Sequence, residues 1–276
     1  MAYANFKATI WSKQIQMDLS KFMVFREICN TKFQGEAGRG KTVRIVGIGK
    51  PSVKNYVPGT SIDAAETPAD TSMDMPINQW KYTNFLVDDV DAAQAHVDIM
   101  KSLMKGSAEQ HAEAADTYIA SLLKDASIAE KGTVLTKTIA TPEEAKAVVD
   151  EAFVGLWDKG VKTGKDTYIV VSPWFYSLFK SSLTEILTNN VEMVERGIFG
   201  MYNGAYVKMS NNVAKDGGAD CLAVLTKDAI AYADGIEEVE AYRPQDSFSD
   251  AVKVLHTFGA KVVRPEQIVT IKATKG

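Results

Sequence analysis

The apolar positions along the chain change period several times, and each change marks an element. Near the start, Ile15, Leu19, Phe22 and Met23 recur at helical spacing behind Ser12, a residue type suited to capping. This predicts an arm with a short helix and too little apolar surface for a core of its own. Period two takes over in Lys41-Thr42-Val43-Arg44-Ile45-Val46-Gly47-Ile48, rich in β-branched residues, and returns over residues 77–87. The second run puts Trp80, Tyr82 and Leu86 on one face and Phe85 and Val87 on the other. The two runs are expected to be the strands of an extended hairpin. Between them, residues 50–76 carry Pro51, Pro58, Pro68 and Pro76, half of the eight prolines in the chain. So long a stretch without structure of its own is either a floppy insertion or an extension that packs on another subunit, and the second reading is preferred.

From Val90 the period becomes helical. Val97, Met100, Met104, Ala108, Ala115, Ile119 and Leu122 lie three, four or seven residues apart, which predicts one helix ending near Lys124. Some 34 residues at about 1.5 Å each would span roughly 50 Å, the length of a structural spine. Thr141-Pro142-Glu143-Glu144 has a capping hydroxyl, a proline at the first helical position and acids at the positive end of the dipole, so a helix starts there and runs to about Trp157. A glycine-punctuated turn over 159–165, a buried strand over 167–171 and a helix from Ser172-Pro173 through Phe179 follow. Later strands are expected over 205–209, 221–226, 239–243, 251–258 and 268–272. The mixed order of elements gives the class α+β.

Length and composition fit this reading. The 276 residues are 46% hydrophobic and 24% charged, enough to bury a large core. Lys and Arg number 31 against 35 Asp and Glu, so the formal charge of −4 disfavours a surface built to grip nucleic-acid backbones. Cys29 and Cys221, far apart, exclude a disulfide framework and a Cys-rich metal site and suit a reducing compartment. The first residues lack a basic-then-apolar leader and no run approaches 18 apolar residues, so neither an export signal nor a membrane span is expected.

Candidate chemistry is sparse. Gly35-Glu36-Ala37-Gly38-Arg39-Gly40-Lys41-Thr42 satisfies the phosphate-loop formula, and Phe85-Leu86-Val87-Asp88 could pose as its magnesium-binding strand end. The context is inverted, because such a loop must open a helix and here a strand follows. The glycines are better read as the turn from the arm into the first strand. His96 and His111 sit fifteen positions apart on one predicted helix and cannot share a metal, so both are given a helix-surface role. Ser172 lacks the glycine of a nucleophile elbow, and Glu143, Glu144, Asp150 and Glu151 read as a solvated helix face. No catalytic, cofactor-binding or metal-binding residue is assigned.

What remains informative is the order arm, hairpin, spine, compact α/β region and returning strands. Along it stand Thr42-Val43-Arg44-Ile45, Tyr56-Val57-Pro58-Gly59, Phe85-Leu86-Val87-Asp88-Asp89 and Asp166-Thr167-Tyr168-Ile169-Val170-Val171-Ser172-Pro173. Gly197-Ile198-Phe199-Gly200, Gly204-Ala205-Tyr206-Val207-Lys208-Met209-Ser210-Asn211 and Phe258-Gly259-Ala260-Lys261-Val262-Val263-Arg264-Pro265 follow. With these segments in that order, the chain over nearly its whole length resembles the major capsid proteins of tailed phages with the Hong Kong 97 fold.

The resemblance implies an arm (1–40), an extended hairpin loop (41–88), a peripheral domain with the spine helix (89–138), an axial domain (139–234), peripheral strands (235–259) and a return to the axial domain (260–276). It implies a non-enzymatic subunit without cofactor that self-assembles as hexamers and pentamers into an icosahedral shell around double-stranded DNA, without sequence-specific contacts and without a membrane. Arg44, Lys50, Lys54, Tyr56, Trp80, Tyr82 and Leu86 are the expected subunit-interface residues. A scaffolding protein, a portal and a decoration protein are the further partners implied. The expected location is the virion, after assembly in the host cytoplasm. No long fused scaffolding segment is seen ahead of the arm. Two rivals share parts of this pattern: an encapsulin-like compartment, whose compact N-terminal helix pattern is missing here, and a P-loop NTPase.

Overall fold

The computed structural model describes residues 23–32, 42–48, 52–56, 58–61, 64–66, 70–88, 99–184, 200–246 and 248–276. The helix expected behind Ser12, most of the phosphate-loop match, Lys50 and His96 lie outside them. In chain order the elements are α1 (Phe25–Ile28), β1 (Thr42–Ile48), β2 (Asp70–Pro76), β3 (Gln79–Asp88), α2 (Ile99–Ser121), α3 (Ala126–Lys131), β4 (Thr133–Ile139), α4 (Pro142–Trp157), β5 (Thr167–Val171) and α5 (Pro173–Thr184). Then come β6 (Met201–Tyr202), β7 (Ala205–Met209), β8 (Lys215–Asp216), β9 (Ala219–Thr226), β10 (Ile230–Tyr242), β11 (Ser249–Val262) and β12 (Ile268–Lys275).

A seven-stranded mixed sheet, ordered β4-β12-β9-β5-β7-β6 with β8 attached to β9, forms the body. β9 lies near its middle and is buried at all eight positions. Its alternation divides two cores. Cys221, Ala223 and Leu225 join the cluster containing Ala115, Ile119 and Leu123, whereas Leu222 and Val224 join that of α4 and α5. A strand covered on both faces reads as a continuous apolar run, and the sequence Ala-Asp-Cys-Leu-Ala-Val-Leu-Thr is nearly that.

Helix α4 forms where its cap predicts. Glu144 N donates to Thr141 Oγ1 at 3.3 Å, and Glu144 Oε2 accepts from the backbone N–H groups of Thr141 at 3.1 Å and Ala140 at 2.8 Å. The two side-chain oxygens satisfy N–H groups at a helix end that would otherwise be orphaned, and the N–H groups donating to the Glu144 carboxyl hold it below its usual range. Val149, Ala152, Phe153 and Leu156 turn inward onto Phe175 and Phe179 of α5. α5 itself runs on to Thr184, beyond the expected end at Phe179, because Leu183 continues its buried stripe.

The second sheet is three antiparallel strands, β10-β11-β3, and the third is the two-stranded pair β1-β2. Here the pairing departs from expectation. β1 pairs with β2, Thr42 opposite Pro76 through Ile48 opposite Asp70, and not with β3. β3 pairs with β11, Gln79 opposite Phe258 through Asp88 opposite Ser249. The proline-rich stretch therefore contributes a strand of its own, with Pro76 at its end, where a missing N–H costs no ladder bond. The chain crosses between the sheets against Gly259, where a Cβ would come within 2.3 Å of Pro76 O. β10 begins at Ile230, well before the expected 239, and keeps the local turn signal Asp234-Gly235 inside the strand because β11 pairs along it.

Helix α2 joins these parts. Near its start Met104 and Ala108 pack on Val252 and Val254 of the outer sheet; its later turns, through Ala112, Ala115 and Ile119, pack in the body. It closes in a 3-10 turn, Leu122–Lys124, before Asp125 caps α3 by accepting from Ser127 N at 2.8 Å. β4, which the sequence pattern did not suggest, follows and pairs with β12 in parallel. The base of the arm docks on α2. Val24 N and Phe25 N donate to the Asp116 carboxylate at 2.9 and 3.1 Å, and Phe25 and Ile28 are buried. Burial pushes the Asp116 pKa up to about 6 against the pull of those two N–H groups. No helix among the described residues is long and apolar enough to cross a membrane.

Candidate interaction surface

The β3 strand shows what the structure leaves uncovered. Its inward side chains, Thr83, Phe85 and Val87, turn toward α2, and Phe85 packs on the Met104–Val252–Val254 cluster. Of its outward side chains, which include Asn84, three are large and mostly apolar: Trp80 is 55% exposed, Tyr82 77% and Leu86 60%. Period two thus places them together as expected, on one face of one strand. That strand is the edge of the outer sheet and carries a second uncovered feature, the unpaired side of its backbone ladder among the described residues.

The neighbouring outward positions are polar and locally satisfied. Lys253 bonds Glu240 at 2.7 Å and lies 5.4 Å over the Tyr242 ring, and Tyr242 shares hydrogen bonds with Asn84. Three uncovered apolar groups beside a satisfied polar rim have the anatomy of a protein-binding surface.

The other expected interface residues fall elsewhere. Arg44 lies on β1, where it reaches Ser72 Oγ at 3.1 Å and Asp74 Oδ1 at 3.9 Å across the pair. Its strand is anchored by Val43 and Ile45, which with Met75 and Ile77 cover Ala231 and Ala233 of β10. Lys54 and Tyr56 are exposed in the segment beyond β1, and nearby the Glu66 carboxylate accepts from the Ser52 backbone at 3.1 Å and from the Ser52 hydroxyl. Lys50 lies outside the described residues. The six that are described therefore divide between the β3 face and the β1 side. The sequence reading passed over Val46, exposed on β1, although the alternation that buries Val43 and Ile45 marks it as outward.

One assignment is corrected. His111 is not on the helix surface but buried in the seam between α2 and β11, edge-on to His256 with ring centroids 5.5 Å apart. Its Nε2 lies 3.2 Å from Thr83 Oγ1, which shares a 2.6 Å hydrogen bond with Ser107 Oγ. Burial, with His256 beside it, lowers the His111 pKa to about 4, so the ring is neutral at pH 7. Neither ring nitrogen of His256 has a hydrogen-bond partner, and its Nε2 is 3.8 Å from Asp234 Oδ2. The helical stripe already places His111 beside Ala108 and Ala115, on the side that packs.

Among the described residues no cluster of three or more His, Cys, Asp or Glu is arranged to hold a metal ion. Cys29 and Cys221 are buried, and burial raises both thiols, which suppresses the thiolate. The phosphate-loop match enters the described structure only at Thr42, where a strand begins.

The chain is similar to proteins of phage shells. A family model described as phage capsid protein matches residues 77–271. A solved chain of Mycobacterium phage Che8 is 31% identical, with 90% of each chain covered and a TM-score of 0.74. A chain from the capsid structure of the cyanophage P-SCSP1u is 16% identical, covering 92% of this chain and 89% of that one, with a TM-score of 0.70. A chain of the mature capsid of bacteriophage PhiM1 is 18% identical over 89% of this chain and 87% of its own, with a TM-score of 0.62. No curated protein matches.

Proposed function

The chain belongs to the phage capsid protein family, and from that premise we propose how its two sheets divide the work of a major capsid protein. Its copies assemble into a phage shell, its fold is of the Hong Kong 97 type, and its place is the virion. The single observation that carries the finer reading is the β3 face, where Trp80, Tyr82 and Leu86 stay uncovered in the isolated subunit. Burying three such side chains against a neighbour removes from water apolar surface that the isolated subunit leaves exposed.

In this reading the seven-stranded body is the axial domain at the capsomer centre, over residues 139–234 and 260–276. Helix α2 and the outer sheet form the peripheral domain, over 89–138 and 235–259. Residues 1–40 are the arm and 41–88 include the extended loop. The pairings refine these limits: β3 goes with the periphery through β11, and β4 with the body through β12. Copies form hexamers and pentamers of an icosahedral shell that encloses the double-stranded DNA of a tailed phage, assembled in the host cytoplasm. A scaffolding protein, a portal and a decoration protein are its partners there. The Arg44, Lys54 and Tyr56 side contacts a neighbouring subunit, as does the β3 face, and Lys50 belongs with the first group. The mild negative charge suits a shell that holds packaged DNA without gripping it.

Negative-stain microscopy and scattering on the purified protein test the proposal. Closed shells, rings or capsomers are expected. A protein that stays monomeric at every concentration overturns it, and shells that hold an enzyme cargo without nucleic acid in the infected host return the encapsulin-like rival.

A further inference from the structure

Over residues 79–87, strand β3 leaves one side of its backbone ladder without a strand partner among the described residues. It pairs with β11 from Gln79 opposite Phe258 through Asp88 opposite Ser249, and β10 occupies the other side of β11. The far side of β3 therefore presents a row of N–H and C=O groups about 30 Å long, next to the uncovered Trp80, Tyr82 and Leu86. Natural proteins often interrupt an edge of this kind with a proline or a bulge. β3 carries neither: no residue from 79 to 88 is proline, and its register with β11 is unbroken.

Another extended backbone at strand spacing is what satisfies such a ladder. The other strands with an open side among the described residues present rows that do not match. β10 carries exposed Glu238 and Glu240, β1 exposed Arg44 and Val46, and β2 exposed Ser72 and Asp74. β4 carries exposed Thr136 and Thr138 beside Val134, and β6 and β8 are two residues long. Against Trp80, Tyr82 and Leu86 each of these sets a charge, a short polar group or too short a ladder. A second copy of β3 matches.

A two-fold axis normal to the sheet keeps each face of the strand on its own side, so the axis of an antiparallel pair falls on a residue. Thr83 and Asn84 lie nearest the middle of β3. With the axis at Asn84, Trp80 would stand opposite the acid Asp88. With the axis at Thr83, Trp80 stands opposite Leu86 of the other copy and Tyr82 opposite its Asn84, and the symmetry repeats both pairs. On the other face Lys81 meets Phe85, so no charge faces its like. Aromatic and aliphatic side chains directly opposite one another stabilise an antiparallel ladder. We propose that β3 pairs antiparallel with β3 of a second copy about an axis at Thr83, joining two three-stranded sheets into one of six strands with a continuous outer face. The proposal rests on the shell-subunit reading, since a closed shell of identical chains supplies two-fold axes.

Hydrogen exchange of the parental protein, read by mass spectrometry, is the first test. In the isolated subunit alternate amides of the segment 79–87 face away from β11 and exchange quickly; in shells these amides are expected to slow about tenfold or more. A cysteine pair then reads the register. Tyr82→Cys and Asn84→Cys copies, mixed before assembly and oxidised as shells, are expected to give a disulfide-linked dimer, because directly opposite positions lie about 4.5 to 5.5 Å apart at Cβ. Either variant alone is expected to give about tenfold less, since each new thiol then faces the parental side chain of the other position. The native Cys29 and Cys221 are buried, and oxidised parental shells measure their background. Should the variants not assemble, exchange in parental shells decides alone. Outward amides that stay fast in shells, or mixed shells with no more dimer than the single variants, overturn the strand pairing while parental shells leave the capsid reading standing. A parent that forms no shell overturns both.

Discussion

Strands β9 and β3 lie in two sheets of one subunit and are treated in opposite ways. β9 carries small and branched residues, Cys221, Leu222, Ala223, Val224 and Leu225, and hides every one between two layers of helix. β3 carries the larger side chains Trp80 and Tyr82 and turns them out. The strand with more apolar surface to hide is the one left open. Subunit stability would be better served by the reverse, and the difference fits the proposed division between contacts made within the chain and contacts reserved for a neighbour. Trp and Tyr suit the second role, since each joins a broad apolar surface to a polar tip that tolerates water until docking.

The division is broken or sharpened first by truncation on each side. Phe153→Ala empties a buried site between α4, α5 and the body sheet, where Phe153 meets Trp157 and Tyr202. The expected loss is about 3 to 5 kcal/mol of subunit stability, read by denaturant unfolding of unassembled protein, and assembly fails as a consequence. Trp80→Ala should act in the other order. Its indole makes one long hydrogen bond, 3.4 Å to Ile77 O, so unfolding of the isolated subunit should change by less than about 1 kcal/mol. Assembly should weaken by about 2 kcal/mol, the scale of an aromatic anchor at an interface, seen as a rise in the critical concentration. Equal destabilisation of the isolated subunit by both variants would erase the distinction.

The body was more legible than the periphery, and the reason is local against non-local information. Thr141-Pro142-Glu143-Glu144 contains its whole instruction within one turn, and the helix begins there. Residues 167–171 and 205–209 are short apolar runs between glycines and turn residues, and both are strands. The outward row Trp80, Tyr82 and Leu86 was equally readable, because alternation needs no partner. What no local pattern states is which strand pairs with which. Residues 70–76, Asp-Thr-Ser-Met-Asp-Met-Pro, are a poor strand by propensity and become one because β1 pairs along them. β10 crosses Asp234-Gly235 for the same reason, since β11 pairs on both sides of it. His111 was misplaced because a histidine alone does not say what faces it, and His256 comes from 145 positions later.

That histidine seam joins the two regions and makes a pH prediction. Thr83, Ser107, His256 and, behind His256, Asp234 surround the His111 ring. In the unfolded chain His111 takes a proton near pH 6.5; in the fold it resists until about pH 4. Below pH 6.5 the unfolded state binds more protons, so the stability this neutral ring contributes is present above 6.5 and is lost as pH falls toward 4. Asp116 works the other way. Its carboxyl takes a proton near pH 6 in the fold against about 3.8 unfolded, so it adds stability as pH falls through that window. His111→Leu, which leaves the Thr83–Ser107 bond in place, should therefore reduce acid destabilisation of the subunit between pH 6.5 and 4, by on the order of 1 to 2 kcal/mol. Asp116→Asn should steepen it. A His111→Leu variant that melts with the parent's pH profile would show that the seam does not govern the joint.

The smallest effect belongs to the β1 side. Arg44 makes its contacts in the open: its side chain is 70% exposed, Asp74 is 66% exposed, and their closest atoms are 3.9 Å apart. Exposed pairs of this kind contribute about 0 to 1 kcal/mol, and salt screens them further. Val43 and Ile45, buried on Ala231 and Ala233, hold the strand in place without the pair. Arg44→Ala should thus change the unfolding free energy of the isolated subunit by less than about 0.5 kcal/mol, within ordinary surface substitutions. Its effect on assembly separates two roles for the same residue. If Arg44 only spans β1 and β2, critical concentrations of parent and variant coincide at low and high salt. If it faces an acidic group of a neighbour, the variant assembles less well at low salt and the gap closes as salt rises, because the lost interaction is the screened one. A gap independent of salt would point instead to the apolar stem of Arg44 as the contacting part, and would move β1 to the same side of the division as the uncovered face of β3.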